Sequence, residues 1–339
     1  MQEIAEGSLL TLIWVGIVGF AVFMYVLMDG FDLGIGILYP FAPTEEDRDT
    51  MMNTVAPVWD FNETWLVLGG AGLFAAFPIA YAVVLPAMYL PLLVMLIALI
   101  FRGVAFEFRF KARAGRHWWN RSFFLGSLLA TFAQGVVLGS FIQGIPVYGR
   151  QFVGGMLHWL SPFSLFCGAA LVVGYALLGA TWLIWRTIGP LQDWCFRVAR
   201  LLMLVVLAGV AVVSLWTPFL LPQIAGRWFS MPNLIFLSPV PIVTVVLAIA
   251  LWRAIDKSRD VAPFVLSMAL FGLSYLGLAI SLWPHLIPPG VTVWEAAAPP
   301  ETQVFLLVGM AFLIPAILGY TAYSYWIFRG KVTGAFGYH

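Results

Sequence analysis

Residues 9–28, LLTLIWVGIVGFAVFMYVLM, run without a single charge and stop abruptly at Asp29. A bilayer's hydrocarbon core is about 30 Å thick and takes roughly 20 apolar helical residues to cross. The stretch therefore reads as a transmembrane span. The rest of the 339-residue chain is composed in the same way, with 62% hydrophobic residues, 10% charged residues and a mean hydropathy of +0.95. Soluble domains carry about 25% charged residues. A chain with so few could not cover its own surface in water, which excludes a globular cytosolic enzyme. The apolar runs are continuous and do not alternate over segments of about ten residues, which excludes a β-barrel.

Windows of span length give nine helices, near residues 8–28, 55–77, 79–101, 122–145, 162–185, 201–221, 233–252, 262–283 and 303–327, in a single transmembrane domain covering 1–339. The second and third are expected to form a tight hairpin at Phe77 and Pro78. The first is not expected to be a cleaved signal peptide, because its leader carries Glu3 and Glu6, no basic residue and no small-residue cleavage site. With the N-terminus outside (periplasmic), 15 of the 17 basic residues fall in inner loops, and only Arg150 and Arg227 fall outside. That alternation satisfies the positive-inside rule, and nine spans then leave the C-terminus in the cytoplasm. Trp118, Trp119, Trp159, Trp185, Trp228, Trp252 and Trp283 sit where spans end, as an interfacial belt does. The glycines of 34–36 and 69–72 suit close helix packing. Lacking a strand–turn–helix context, they do not suit nucleotide binding.

Net charge is +1, so no nucleic-acid footprint is present, and two Cys with four scattered His form neither a disulfide framework nor a zinc site. His117, His158, His285 and His339 all lie outside the middle of any span, whereas an internal haem needs imidazoles on facing helices. The acids are more informative. Asp29 and Asp32 are expected to close the first span, and Asp60 and Glu63 to open the second. Each pair is spaced i, i+3, on one helix face. Both should lie at similar depth near the inner boundary, with Arg102, at the inner end of the third span, as their counter-charge. Clustered acids repel one another, which favours shared protons, and an intramembrane acid is by default a candidate for proton or ion handling.

The segments Asp29-Gly-Phe-Asp-Leu-Gly-Ile-Gly36, Ala56-Pro-Val-Trp-Asp-Phe-Asn-Glu-Thr-Trp-Leu66, Leu73-Phe-Ala-Ala-Phe-Pro78 and Phe101-Arg-Gly-Val-Ala-Phe-Glu-Phe-Arg-Phe-Lys111 resemble subunit II of the cytochrome bd family of terminal quinol oxidases. The second half adds Gly144-Ile-Pro146, Ser161-Pro-Phe163 and Tyr320-Thr-Ala-Tyr-Ser-Tyr-Trp326, and length and topology agree over the whole chain. The resemblance implies an all-α protein of two four-helix bundles and a peripheral ninth helix in a bacterial inner membrane. It implies a haem-bearing partner, subunit I, holding two b-type haems and haem d, while subunit II ligates no haem itself. It also allows for a small single-helix accessory subunit, and a structural quinone is bound in this subunit in some members. The family's subunit II is thought to line a cytoplasmic proton route centred on the Asp of the Trp-Asp-x-Asn motif, here Asp60, with Asp29, Asp32 and Arg102 matching neighbouring polar positions. Glu63 stands where relatives have Glu or Gln. Phe61 replaces a Gly common after the motif Asp, and this form looks more like the cyanide-insensitive branch.

Two other readings fit the same residues. A stand-alone proton-coupled transporter would also keep acids at a membrane boundary, although corresponding broken helices in two halves are not evident. A scaffold would use the acids for assembly alone.

Overall fold

The computed structural model describes residues 2–112 and 114–332, and the side chains of 9–112 and 114–332. Arg113 and His339 lie outside the described residues, as do the side chains of Glu3 and Glu6. The chain runs α1 (Gln2–Leu38), α2 (Glu45–Asn53), α3 (Trp59–Ala76), α4 (Pro78–Ala87), α5 (Tyr89–Lys111) and α6 (Arg116–Gln143). A small hairpin follows, β1 (Val147–Tyr148) with β2 (Gln151–Phe152). Then come α7 (Pro162–Arg186), α8 (Gly189–Leu220), α9 (Pro222–Phe229), α10 (Asn233–Leu237), α11 (Pro239–Asp256) and α12 (Ala262–Leu282). A second hairpin, β3 (His285–Ile287) with β4 (Val291–Thr292), leads into α13 (Val293–Ala296) and α14 (Pro300–Ile327).

Backbone in hydrocarbon must satisfy its own hydrogen bonds, so helix is the available solution for each apolar run. Local sequence sets the ends. Pro occupies the first turn of α4, α7, α8, α9, α11, α12 and α14, where its missing N–H costs nothing. Ser161 caps α7 in a capping box with Ser164, and Thr44 caps α2 by accepting from the Asp47 amide.

Among the described residues, eight helical stretches are long and apolar enough to cross a membrane: Leu9–Phe41, Tyr89–Lys111, Arg116–Gln143, Pro162–Arg186, Gly189–Leu220, Asn233–Asp256, Ala262–Leu282 and Pro300–Ile327. α3 has 18 residues, but Asp60, Asn62 and Glu63 dilute its apolar character.

Several boundaries differ from those expected. Asp29 and Asp32 do not close the first span, because α1 continues through both to Leu38. Their charge is answered inside the bundle, so it does not mark a membrane surface. Residues 78–111 are also divided differently. The chain does break at Phe77–Pro78, but in place of one span over 79–101 a ten-residue α4 is followed by a second break at Met88 and then α5. Pro86 and Pro91 flank that break, and each removes a backbone donor. Arg102 consequently sits well inside α5, not at its end.

α1 is the central element and packs along α3, α6 and α7. Lipid tails are as apolar as leucine, so helices associate through close packing and internal polar bonds. The tightest approach is α1 on α7. A Cβ on Gly34 would overlap the Tyr175 carbonyl, and one on Gly179 would lie 2.5 Å from the Gly34 carbonyl carbon. Phe31 stacks on Trp182 at 4.3 Å beside this crossing. Basic residues gather at one end, where Arg200 meets Asp256, Lys331 meets Asp260 and the Val332 amide donates to the Arg186 carbonyl. Both hairpins lie at the other end, where Ile145 donates to Pro288 and Ala298 to Ala76.

Gly34→Ala is expected to destabilise the protein by about 2 kcal/mol, the usual scale of overpacking. The measurement is the thermal midpoint of the solubilised protein; an unchanged midpoint would contradict the α1–α7 crossing.

Candidate functional site

Tyr25, Asp29, Asp32 and Gly36 follow one another at helical spacing along a single stripe of α1, and the two carboxyls are fully buried. Arg102 of α5, equally buried, donates from Nη1 to Asp29 Oδ1 at 2.6 Å. Its guanidinium lies 5.9 Å from the Trp59 ring centre, and Trp59 stacks on Phe106 at 5.0 Å. Gly126 of α6 allows this fit, since a Cβ there would come within 3.1 Å of Arg102 Cβ. Asp32 is held differently. Asn62 Nδ2 donates to Asp32 Oδ2 at 2.8 Å and to the Met28 carbonyl at 3.2 Å, while Asn62 Oδ1 accepts from the Tyr325 hydroxyl at 2.9 Å. α1, α3, α5 and α14 therefore meet at one polar knot inside the apolar bundle.

Four of the five residues singled out from sequence converge there. Asp29, Asp32 and Arg102 are in the knot, and partly buried Glu63 is close enough to interact electrostatically with Arg102 and Asp29. Asp60 stands on the exposed side of the first turn of α3, within electrostatic range of Glu63. Sequence reasoning missed Asn62 and Tyr325 as members. Asn62 stands in the Trp59–Trp65 segment, one turn from each Trp, and Tyr325 in the Tyr320–Trp326 segment, but with 263 positions between them nothing in the sequence joins the two. Beyond Asp29, the Tyr25 hydroxyl accepts from Gln134 Nε2 at 2.6 Å, and the Tyr175 hydroxyl donates to Gln134 Oε1 at 3.1 Å.

A buried ion pair contributes little net stability but leaves an expensive unpaired charge when one partner is removed. This one is also incompletely satisfied. Asp29 Oδ2, Asp32 Oδ1, Arg102 Nε and Arg102 Nη2 are buried with no hydrogen-bond partner among the described residues. Buried polar atoms of this kind are normally served by water. The arrangement can thus hold a charge, share protons between carboxyls and pass them through hydrogen bonds.

Haem is held by axial side chains such as imidazole, and none of the described histidines is a member of the knot. His117 lies in the first turn of α6, His158 Nε2 is within 3.1 Å of the Gly144 carbonyl in a loop, and His285 is in β3. Among the described residues no three His, Cys, Asp or Glu side chains converge as metal ligands do.

The basic end carries a second cluster. Arg109 of α5 and Arg116 of α6 both donate to Asp49 of α2, and Arg109 Nε also donates to Asn120 Oδ1 at 2.7 Å, which the Tyr39 hydroxyl reaches at 2.9 Å. Partial burial pushes the Asp49 carboxyl up, but hydrogen bonds from Arg116 and Arg109 outweigh it and hold the group below its ordinary value of 3.8.

Fold and site together define a multi-pass membrane protein built around buried ionisable groups. The comparison with known proteins makes the class specific. The family model for cytochrome bd terminal oxidase subunit II matches residues 10–328, and the chain belongs to that family. It is 28% identical over 365 residues to cytochrome bd-I ubiquinol oxidase subunit 2 of Escherichia coli strain K12, covering 97% of this chain and 96% of that protein. Similarity to cytochrome bd ubiquinol oxidase subunit 2 of Bacillus subtilis strain 168 is 28% over 320 residues, covering 91% and 93%. The fold matches a chain of the bd oxidase from Geobacillus thermodenitrificans with a TM-score of 0.73, over 91% of this chain and 96% of that one, at 17% identity. The chain is accordingly an oxidoreductase component of a respiratory chain, embedded in a membrane.

Because the folded Asp49 titrates lower than the unfolded one, its stabilisation is complete above the unfolded value and is lost as pH falls through the folded value. Thermal midpoints of wild type and Asp49→Asn should therefore differ most at neutral pH and converge as pH drops below about 4. A constant gap across that range would contradict the linkage.

Proposed function

We propose that this chain is the haem-free second subunit of a quinol-oxidising, oxygen-reducing complex of the bacterial inner membrane, where it steadies subunit I and conducts cytoplasmic protons towards the site of oxygen reduction. Counting α3 with the eight apolar stretches gives nine spans with the N-terminus outside. The gathering of basic residues at one end, which would be the cytoplasmic one, supports that orientation.

The observation that carries the reading is the buried Asp29–Arg102 pair beside Asp32, with four polar atoms left for water to bridge. Keeping such groups in hydrocarbon is costly, and they are retained where ions or protons must pass. Each residue then has a task. Asp29 and Asp32 take up and release protons, and Arg102 balances the remaining negative charge. Asn62 and Tyr325 fix the Asp32 carboxyl. Glu63 and then Asp60 continue the path to the exposed face of α3, where a companion chain can take over. In such a complex quinol releases its protons outside while those consumed in making water arrive from inside. The reaction is electrogenic without a pump, and the haem chemistry belongs to subunit I.

Asp60 is the best test because its side chain is exposed and can be changed without opening the core. In the assembled complex, Asp60→Asn should slow oxygen consumption by roughly tenfold or more, the scale of a lost proton-transfer group, while the haem spectrum stays intact. Full assembly with undiminished turnover would refute the relay. Loss of the complex itself would favour a scaffold role, and a colourless, self-sufficient protein on mild purification would favour a transporter.

A further inference from the structure

Helix α6 faces the acidic stripe of α1 with a stripe of its own. The two helices run antiparallel, with Tyr39 bonded to Asn120 at one end and Tyr25 bonded to Gln134 at the other. Between these anchors, Gly36 lies directly against Ser127, where any Cβ would overlap the hydroxyl. Ser127, Thr131 and Gln134 are spaced by four and three residues, so they share one face of α6. Thr131 therefore falls between Gly36 and Tyr25, at the level of Asp29 and Asp32. Arg102 of α5 packs its backbone and Cβ against Gly126, the neighbour of Ser127, and reaches Asp29 with its guanidinium.

Ser127 and Thr131 are fully buried, and neither Oγ nor Oγ1 has a hydrogen-bond partner among the described residues. Hydroxyls in apolar helices ordinarily turn back to the carbonyl four residues earlier. Thr181, Thr187, Thr217, Thr244, Ser274 and Ser281 all do so in this chain. Ser127 and Thr131 do not. An unpartnered buried hydroxyl costs free energy that valine or alanine would avoid. Two carboxylates and a guanidinium at the same level of the bundle also have unused hydrogen-bonding atoms.

We propose that Ser127 and Thr131, with Asp29, Asp32 and Arg102, enclose a buried water site between α1, α5 and α6, and that the two hydroxyls are positioning residues for proton movement between the carboxyls. The ligand is water. A hydroxyl suits the task because it accepts a hydrogen bond on its oxygen and donates its own hydrogen. A proton arriving on one side is matched by one leaving on the other, and no side chain is left charged. The amide of Gln134, fixed between Tyr25 and Tyr175, closes the site on the side away from Asn120. This inference rests on the proton-conducting role proposed above and adds the element that holds the water.

The test uses the assembled oxidase. The variant Ser127→Ala/Thr131→Val keeps the packing and removes both hydroxyls. It should lower turnover by roughly tenfold and raise the solvent deuterium isotope effect, with the haem spectrum unchanged, and Thr131→Ser should restore the rate. Wild-type turnover and isotope effect in the assembled double variant would overturn the proposal. If Asp29→Asn is slow in the same preparations, the proton route survives and only the water site falls. If Asp29→Asn is also unimpaired, both fall together. Should the double variant fail to assemble, a high-resolution density map of the wild-type complex decides. Ordered water within hydrogen-bond distance of Ser127 Oγ, Thr131 Oγ1 and Asp29 Oδ2 supports the site, and a dry space there refutes it.

Discussion

A single guanidinium governs the interior of this bundle. Arg102 is fully buried, and three neighbours make that tolerable. Asp29 supplies the opposite charge, Trp59 a π face, and Gly126 the room. Removing Asp29 would strand a cation in hydrocarbon; removing Arg102 would strand a carboxylate. The free-energy scale for breaking such a pair is about 3–5 kcal/mol, comparable to a large share of a typical protein's stability. The fold can hold the pair only if α1, α5 and α6 keep their depth and rotation, so the charge acts as a registration mark for three helices.

The close crossing of α1 and α7 has the complementary task. Gly34 and Gly179 let two backbones meet, which fixes the angle at which the acidic stripe of α1 faces α6. Apolar packing sets the frame and polar contacts set the register. Neither would suffice in lipid, where no water-exclusion force draws one helix to another.

Much of this was legible in the sequence. The apolar runs announced a helical membrane protein, and Asp29, Asp32, Glu63 and Arg102 marked the charged centre, whereas Asp60 lies on the exposed side of α3. What was not legible follows from physical causes. Asp29 looked like the end of a span because an unpaired charge belongs at a surface, and its partner lies 73 residues away. The break at Met88 was hidden because Pro86 and Pro91 interrupt a helix without interrupting hydropathy. Tyr325 belongs to the last apolar run and acquires meaning only through Asn62. Ser127 and Thr131 look like ordinary helix hydroxyls until their missing partners are seen in three dimensions.

Asn62 carries one more implication. Its amide gives hydrogens to Asp32 and Met28 and takes one from Tyr325, so its orientation is pinned from both sides. A carboxamide cannot pick up and hand on hydrogen ions at ordinary acidity as a hydroxyl or a water can, and turning it over would break every bond it makes. Asn62 therefore locks one carboxyl oxygen of Asp32 in place, and any new bond that carboxyl makes must use its other oxygen, Oδ1.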